Sequence, residues 1–281
     1  MRKDDFKTFA QATSPRGSNK SSSYVKALDW LQLMLNEHPF GFSRITDIWS
    51  ENSIELIQEL YAAANEQKHL GDASLWNIEG IPQSYLQNGY CTAALRAYQQ
   101  FLLENNYEQQ LLNIFDSFSG EEESLPKELE QDFSYPEFML DCATKAEGKE
   151  VIREVKVRSN QNVFRKMILS IYQGSCCITG LDVAEVNRAS HIIPWSEDKR
   201  QRLDPRNGLC LSATYDAAFD RHLISFDEDY RLLISKEIKD HYTSSAVKTY
   251  FRNQEGKRIE LPKRFAPSLE NLSQHRLKGD F

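Results

Sequence analysis

From Tyr24 onward the first half of the chain carries apolar stripes at helical spacing, separated by polar breaks. Tyr24, Leu28, Leu31 and Leu35 recur at threes and fours, which predicts a helix capped at Ser23 and stopped by His38-Pro39-Phe40-Gly41. Ile54, Ile57, Leu60 and Tyr61 predict a second helix over 53–69, with Gly71 as its stop. A third starts near Pro82 or Asn88 and carries Cys91, Ala94, Leu95, Tyr98 and Phe101, with a weaker helical signal from Tyr107 to Phe115. Nothing here alternates with the two-residue period of a strand, so this half reads as all-α. Trp30, Trp49 and Trp76 have apolar neighbours and read as core. Residues 1–23, with turn formers from Thr13 to Lys20 and then three serines, read as a flexible entry segment.

The second half has a different rhythm. Lys149 to Arg158 fits a strand or a helix, whereas Val163, Phe164, Met167, Ile168 and Ile171 mark a helical face over 161–172. Ile192 and Ile193 beside His191 suggest a short strand ending at Pro194. Asp204-Pro205-Arg206-Asn207-Gly208 is a turn, Leu209-Cys210-Leu211 a strand, and Tyr215 to Arg221 a helix. Strands over 223–226 and 230–235 flank the polar turn Asp227-Glu228-Asp229. A helix over 238–250, a short strand at 258–262 and a last helix over 268–277 complete the pattern. The class is α+β. An acidic stretch over 119–150, with Pro126, Pro136 and Gly148, reads as the linker. The expected domains are therefore a helical one over 1–145 and a second over 146–281.

One pair of side chains carries chemistry. Asp216 and Asp220 share a face of their helix, because residues four apart are neighbours. No basic residue separates them, and a divalent cation with a taste for oxygen would relieve their repulsion. His191 could take a proton from water at neutral pH. A metal on one side and a base on the other suits phosphodiester hydrolysis.

The motifs ASHIIPW, NGLCLS and FDRHLISF, in this order and spacing, resemble the ββα-metal core of the HNH endonuclease family. The lead-in QNVFRKMILSIYQGSCCITG is also similar, so the resemblance spans roughly 158–281. It implies an N-terminal all-α domain followed by an HNH nuclease domain with flanking helices. It also implies His191 as the general base, Asn207 as the residue that holds the loop, and Asp216 and Asp220 as ligands of one divalent cation. Two departures stand out. Many relatives have an acidic residue or His just before the base, where this chain has Ser190. Many also carry two zinc-knuckle pairs, whereas here Cys176 would pair with Thr179 and the later positions are Ser212 and Tyr215. No structural zinc is therefore expected, and the carboxylate pair favours Mg²⁺ or Mn²⁺. Combined with a helical N-terminal domain, the variant implies a bacterial restriction or defence nuclease. The alternatives are a decayed DNA- or partner-binding module, or a homing-type mobile-element nuclease.

Charge complicates the DNA partner. The chain has a net charge of −7. Residues 151–281 hold 22 Lys and Arg against 17 acidic residues, whereas residues 1–150 hold 12 against 24. The nuclease-like half is thus basic and suited to phosphates, and the acidic half fits a protein or small-ligand contact better than broad DNA binding. Candidate phosphate contacts are Arg158 and Arg165 in the basic run before the core, and Lys199, Arg200 and Arg206 in the loop after His191. His222, where relatives often have glycine, either approaches a phosphate or points outward. His275 and His241 stand alone and receive no role. Cutting both strands of double-stranded DNA with one site requires a homodimer or two visits. No apolar run reaches membrane-spanning length and the N-terminus lacks a signal core, so a cytoplasmic protein is expected, its five cysteines reduced and mostly buried.

Overall fold

The elements of a computed structural model, which describes residues 2–15, 17–131, 134–139 and 145–281, follow the chain as helices and then as two small hairpins among helices. The helices before the first strand are α1 (Arg2–Ala12), α2 (Lys20–Glu37), α3 (Ile54–His69), α4 (Ser84–Gln87), α5 (Tyr90–Ser117), α6 (Leu125–Glu128) and α7 (Lys145–Ile171). Strands β1 (Asn187–His191) and β2 (Gly208–Ser212) lead into α8 (Ala213–Asp220). Strands β3 (Ile224–Phe226) and β4 (Leu232–Ile234) precede α9 (Lys236–Lys239), α10 (Ser245–Tyr250) and α11 (Leu269–Arg276). The class is α+β. The chain divides into two compact units, Met1–Tyr107 with Ser134–Ile152, and Glu108–Phe133 with Arg153–Phe281. Of the acidic linker, residues 132, 133 and 140–144, Cys142 among them, lie outside the described residues.

The first unit closes around aromatic side chains. Phe6 is fully buried, with ring centroids 5.4 Å from Tyr98, 5.6 Å from Trp49 and 5.8 Å from Phe101. Residues 2–12 of the entry segment are thus a helix rather than part of a flexible arm. Phe6 and Ala10, with Phe9 packed partly buried on Phe101, make too short a stripe to stand out in sequence, yet they suffice once an aromatic pocket awaits them. Helix α2 starts at Lys20, so Ser23 lies within its first turns instead of capping it. Ser53 does cap α3, its hydroxyl accepting from the Leu56 N–H at 3.0 Å. Trp76 is buried and its indole N–H donates to the His38 carbonyl at 2.8 Å, while Trp30 and Trp49 pack partly buried on the same core.

In the second unit β1 and β2 pair antiparallel, with Ala189 opposite Cys210 and His191 opposite Gly208. The ladder ends at His191, short of Ile192 and Ile193. Those two residues are still bound, but to Asn207: the Ile192 N–H reaches its carbonyl at 2.9 Å and the Ile193 N–H its side-chain oxygen at 2.8 Å. Helix α7 runs unbroken through the stretch that fitted strand or helix, and buries Val163, Phe164, Met167 and Ile168. Glu108 of α5 ties it down, accepting from Asn162 at 2.9 Å and Lys166 at 2.8 Å. Phe265 packs on Phe115 and Phe118, with centroids 5.7 and 6.2 Å apart. The helix expected over 238–250 is interrupted, giving α9 and α10, and Arg258 makes an isolated bridge to Arg231 instead of a strand. Cys91, Cys176, Cys177 and Cys210 are buried free thiols. No helix among the described residues is long and apolar enough to cross a membrane.

Gly208 lies tight against α7. A Cβ there would sit 2.3 Å from Ile168 Cδ1 and 2.7 Å from Phe164 Cζ. Gly208→Ala should therefore cost roughly 1–3 kcal/mol of stability by overpacking. A urea midpoint equal to that of the parent protein would show that α7 does not press on β2.

Candidate active site

Adjacent residues of a strand face opposite sides, and the end of β1 uses both. Ser190 turns toward α8, where its hydroxyl donates to Asp216 Oδ1 at 2.5 Å. His191 turns toward α7 and stacks on Phe164, with centroids 3.6 Å apart and planes 14° from parallel; Trp195 meets the imidazole edge-on at 5.4 Å. Among the described residues no hydrogen bond or ion pair joins His191 to either aspartate. The imidazole and the acid helix are linked through the backbone between residues 190 and 191.

The imidazole is held in one tautomer. Its Nε2 lies 3.2 Å from the Arg202 carbonyl. A carbonyl can only accept, so Nε2 carries the proton and Nδ1 keeps the basic lone pair. Arg202 also steadies Trp195, its guanidinium lying 4.9 Å from the ring and its Nε donating to the Trp195 carbonyl at 2.9 Å. Burial is the main influence on His191 and pushes its pKa down to about 4, against the pull of the Arg202 carbonyl. The ring is neutral at pH 7. A cavity of about 330 Å³ opens on this face, lined by Gln161, Asn162, Arg165, Arg188 and His191 among others.

Asn207 grips the chain just beyond His191 with both ends of its amide. Its Oδ1 accepts from the Ile193 N–H at 2.8 Å, and its Nδ2 donates to the Ile193 carbonyl at 3.1 Å and the Gln201 carbonyl at 3.3 Å. Asp204 shapes the turn before it, its carboxylate accepting from the Arg206 N–H at 2.9 Å.

Asp216 and Asp220 stand on one face of α8. Partial burial raises the Asp220 carboxyl above its ordinary range and the Asp216 charge adds to this, with Arg221 and His222 opposing. Asp220 is also the last residue of the helix, where the dipole disfavours an anion. Among the described residues no three His, Cys, Asp or Glu side chains converge as a ligand group. Two carboxylates that repel each other nonetheless fit a hard divalent ion, which they would hold through oxygen.

Of the candidate phosphate contacts, Lys199 and Arg200 are exposed, and Arg200 pairs with Asp198 at 3.2 Å. Arg206 is bound within the fold, to Asp204 at 2.9 Å and Glu123 at 2.5 Å. Arg165 donates to the Asn187 and Ala184 carbonyls at 2.9 and 3.1 Å, holding the approach to β1 while it lines the cavity beside His191. Arg158 is half-buried on α7. His222 takes the left-handed conformation, φ 55°, that closes α8: its N–H bonds the Phe219 carbonyl and the Leu223 N–H bonds that of Ala218, both at 2.9 Å. Its ring turns to His275, with Nδ1 3.1 Å from Nε2. His275, a histidine without a motif, is buried and touches Phe219 and Ser225. Asn271, one turn earlier, reaches Asn207. Neither residue stood in a motif; only their four-residue spacing on a C-terminal helix could have drawn notice.

Residues 176–227 match the model of the HNH endonuclease family. No curated protein matches the chain. HNH nucleases act on DNA and generally use a divalent metal.

Two measurements follow from these environments. His191 and His275 are both held down to about 4 from an ordinary 6.5, chiefly by burial. Between those values the unfolded chain binds protons that the fold refuses, so their contribution is complete above pH 6.5 and lost as pH falls toward 4. His275→Phe, which keeps a ring against Phe219, should make that acid limb of the Tm profile shallower; an unchanged limb would contradict the assignment. At neutral pH, Mg²⁺ or Mn²⁺ at about 100 times its dissociation constant should stabilise the protein by roughly 2.7 kcal/mol. Asp220→Asn should remove that gain, and its survival would move the ion elsewhere.

Proposed function

We propose that the chain, a member of the HNH endonuclease family through residues 176–227, is a metal-dependent DNA endonuclease that serves bacterial restriction or defence. The observation that carries the reading is the bond from Ser190 to Asp216, which ties the acid helix to the residue beside the imidazole. A phosphodiester laid across the end of β1 would meet the base on one side and the carboxylates on the other.

His191 is the general base. With Nε2 held by the Arg202 carbonyl, its Nδ1 takes the proton from a water aimed in line at phosphorus. A pKa near 4 keeps the ring unprotonated, and an approaching phosphate anion raises its proton affinity toward the working range. Asn207 keeps the strand end in register during attack. Asp216 and Asp220 are the residues that would hold the divalent cation, Mg²⁺ or Mn²⁺. When bound, that ion supplies charge stabilisation at the scissile phosphate and the leaving 3′-oxygen. The product is a 5′-phosphate end. Lys199 and Arg200, exposed in the loop after His191, suit the backbone of double-stranded DNA; Arg158, Arg165, Arg206 and His222 are the remaining candidates. Two visits or a homodimer would cut both strands. The helical domain over 1–145, acidic in charge, serves recognition through a protein partner or a modified base.

One observation favours a second reading, a catalytically decayed binding module: Ser190 stands where many relatives supply a further metal ligand. Cleavage decides between them. The parent protein should nick plasmid DNA with Mg²⁺ or Mn²⁺ and not in chelator. His191→Ala should lower the rate by about 10²–10⁴-fold with Tm nearly preserved, and Asp216→Ala should lose activity and metal dependence together. Full cleavage by His191→Ala removes the mechanism; a parent protein that binds DNA but cuts none, methylated or unmethylated, establishes the decayed module.

A further inference from the structure

Helix α11 lies outside the family-matched segment, yet it touches both halves of the site. Asn271 and His275 are four residues apart on one face and are 6 % and 2 % exposed. Asn271 Nδ2 donates to Asn207 Oδ1 at 3.0 Å and to Gln201 Oε1 at 2.6 Å. His275 Nε2 lies 3.1 Å from the carbonyl of Phe219, the residue before Asp220, and its Nδ1 3.0 Å from the Ser225 hydroxyl. Its ring lies flat on Phe219, 3.8 Å between centroids and 3° from parallel.

We propose that α11 is a brace that fixes the base strand against the acid helix, with Asn271 and His275 as positioning residues for the proposed hydrolysis. Packing alone does not call for them, because buried polar groups cost free energy unless they are bonded, and Leu272 between them already supplies apolar burial. Both address particular atoms. Asn207 Oδ1 has two lone pairs; the Ile193 N–H takes one and Asn271 the other. An amide turned end for end would set N–H against N–H at both contacts, so Asn271 locks the orientation in which Asn207 grips Ile193. His275 does the same for the end of α8, binding the Phe219 carbonyl that also closes the helix at His222. Asn271 thus acts through Asn207 on the chain beside His191, and His275 through Phe219 on Asp220. A helix that carries both sets the separation between base and acids.

This inference rests on the nuclease reading for its kinetic consequence but not for its structural one, and the test separates the two. In the full chain, Asn271→Leu keeps the branching of the side chain and His275→Phe keeps an aromatic ring, while both remove the bonds. On plasmid DNA with Mn²⁺ each should lower kcat roughly 10- to 100-fold, with KM within about twofold and Tm held within about 8 °C. Asn207→Ala combined with Asn271→Leu should be no slower than Asn207→Ala alone. Independently of cleavage, Asn271→Leu should speed backbone hydrogen exchange at Ile193, whose N–H depends on Asn207. Unchanged kcat in both variants, additive rate losses, or unchanged exchange at Ile193 would each overturn the brace. If the parent protein cleaves no better than His191→Ala, the nuclease reading fails, and the exchange result alone still decides the brace.

Discussion

The second unit turns on one side-chain amide. Asn207 exchanges two hydrogen bonds with the backbone of Ile193, doing with a side chain what a neighbouring strand would do with its main chain. A hairpin whose ladder stops at His191 would otherwise leave the Ile193 peptide buried without partners, at a cost of about 1–3 kcal/mol for each unsatisfied group. Meeting that need at a fixed point pins the loop from Ile192 to Arg206. The loop in turn delivers the Arg202 carbonyl to the imidazole and Trp195 to its edge. A water molecule could satisfy the same peptide, but it could not fix a ring two residues away.

The cations around the hairpin show how little a tally of charges says about partners. Arg165, Arg202 and Arg206 all lie in or near the site, and each spends hydrogen bonds on carbonyls or carboxylates of its own chain. A guanidinium has five donors in a rigid plane, so one side chain can staple two loops at once. The net positive charge of residues 151–281 is therefore partly structural. Arg165 has both duties available to it, since it holds two carbonyls and still lines the cavity beside His191.

Much of the architecture was legible from local pattern. Helices α3 and α11, the turn before Asn207, strand β2, the second hairpin and the burial of the described cysteines each follow from short-range signals: apolar spacing, a serine cap, an Asn-Gly. What was hidden depended on distant partners. Helix α1 has too few apolar residues to be seen without Trp49, Tyr98 and Phe101 waiting for Phe6. Ile192 and Ile193 read as strand because their composition is that of a strand, but the ladder stops at His191, and the Ile193 N–H goes to a side chain fourteen residues on. The order His191, Asn207, Asp216, Asp220 was legible as a motif. That Ser190 would bond Asp216, and that Asn271 and His275 would reach the site from the C-terminal helix, was not, since nothing local distinguishes a histidine that braces from one that faces water.

The grip of Glu108 on Asn162 and Lys166, with Phe115 and Phe118 lying on Phe265, bears on how the protein is dissected. An excised C-terminal piece beginning in the acidic stretch would lose a carboxylate from α7 and bare an aromatic face. Its precipitation or silence in an assay would report the missing stretch of α5 and not the chemistry of the hairpin. A piece that begins ahead of Glu108 carries its own lining with it.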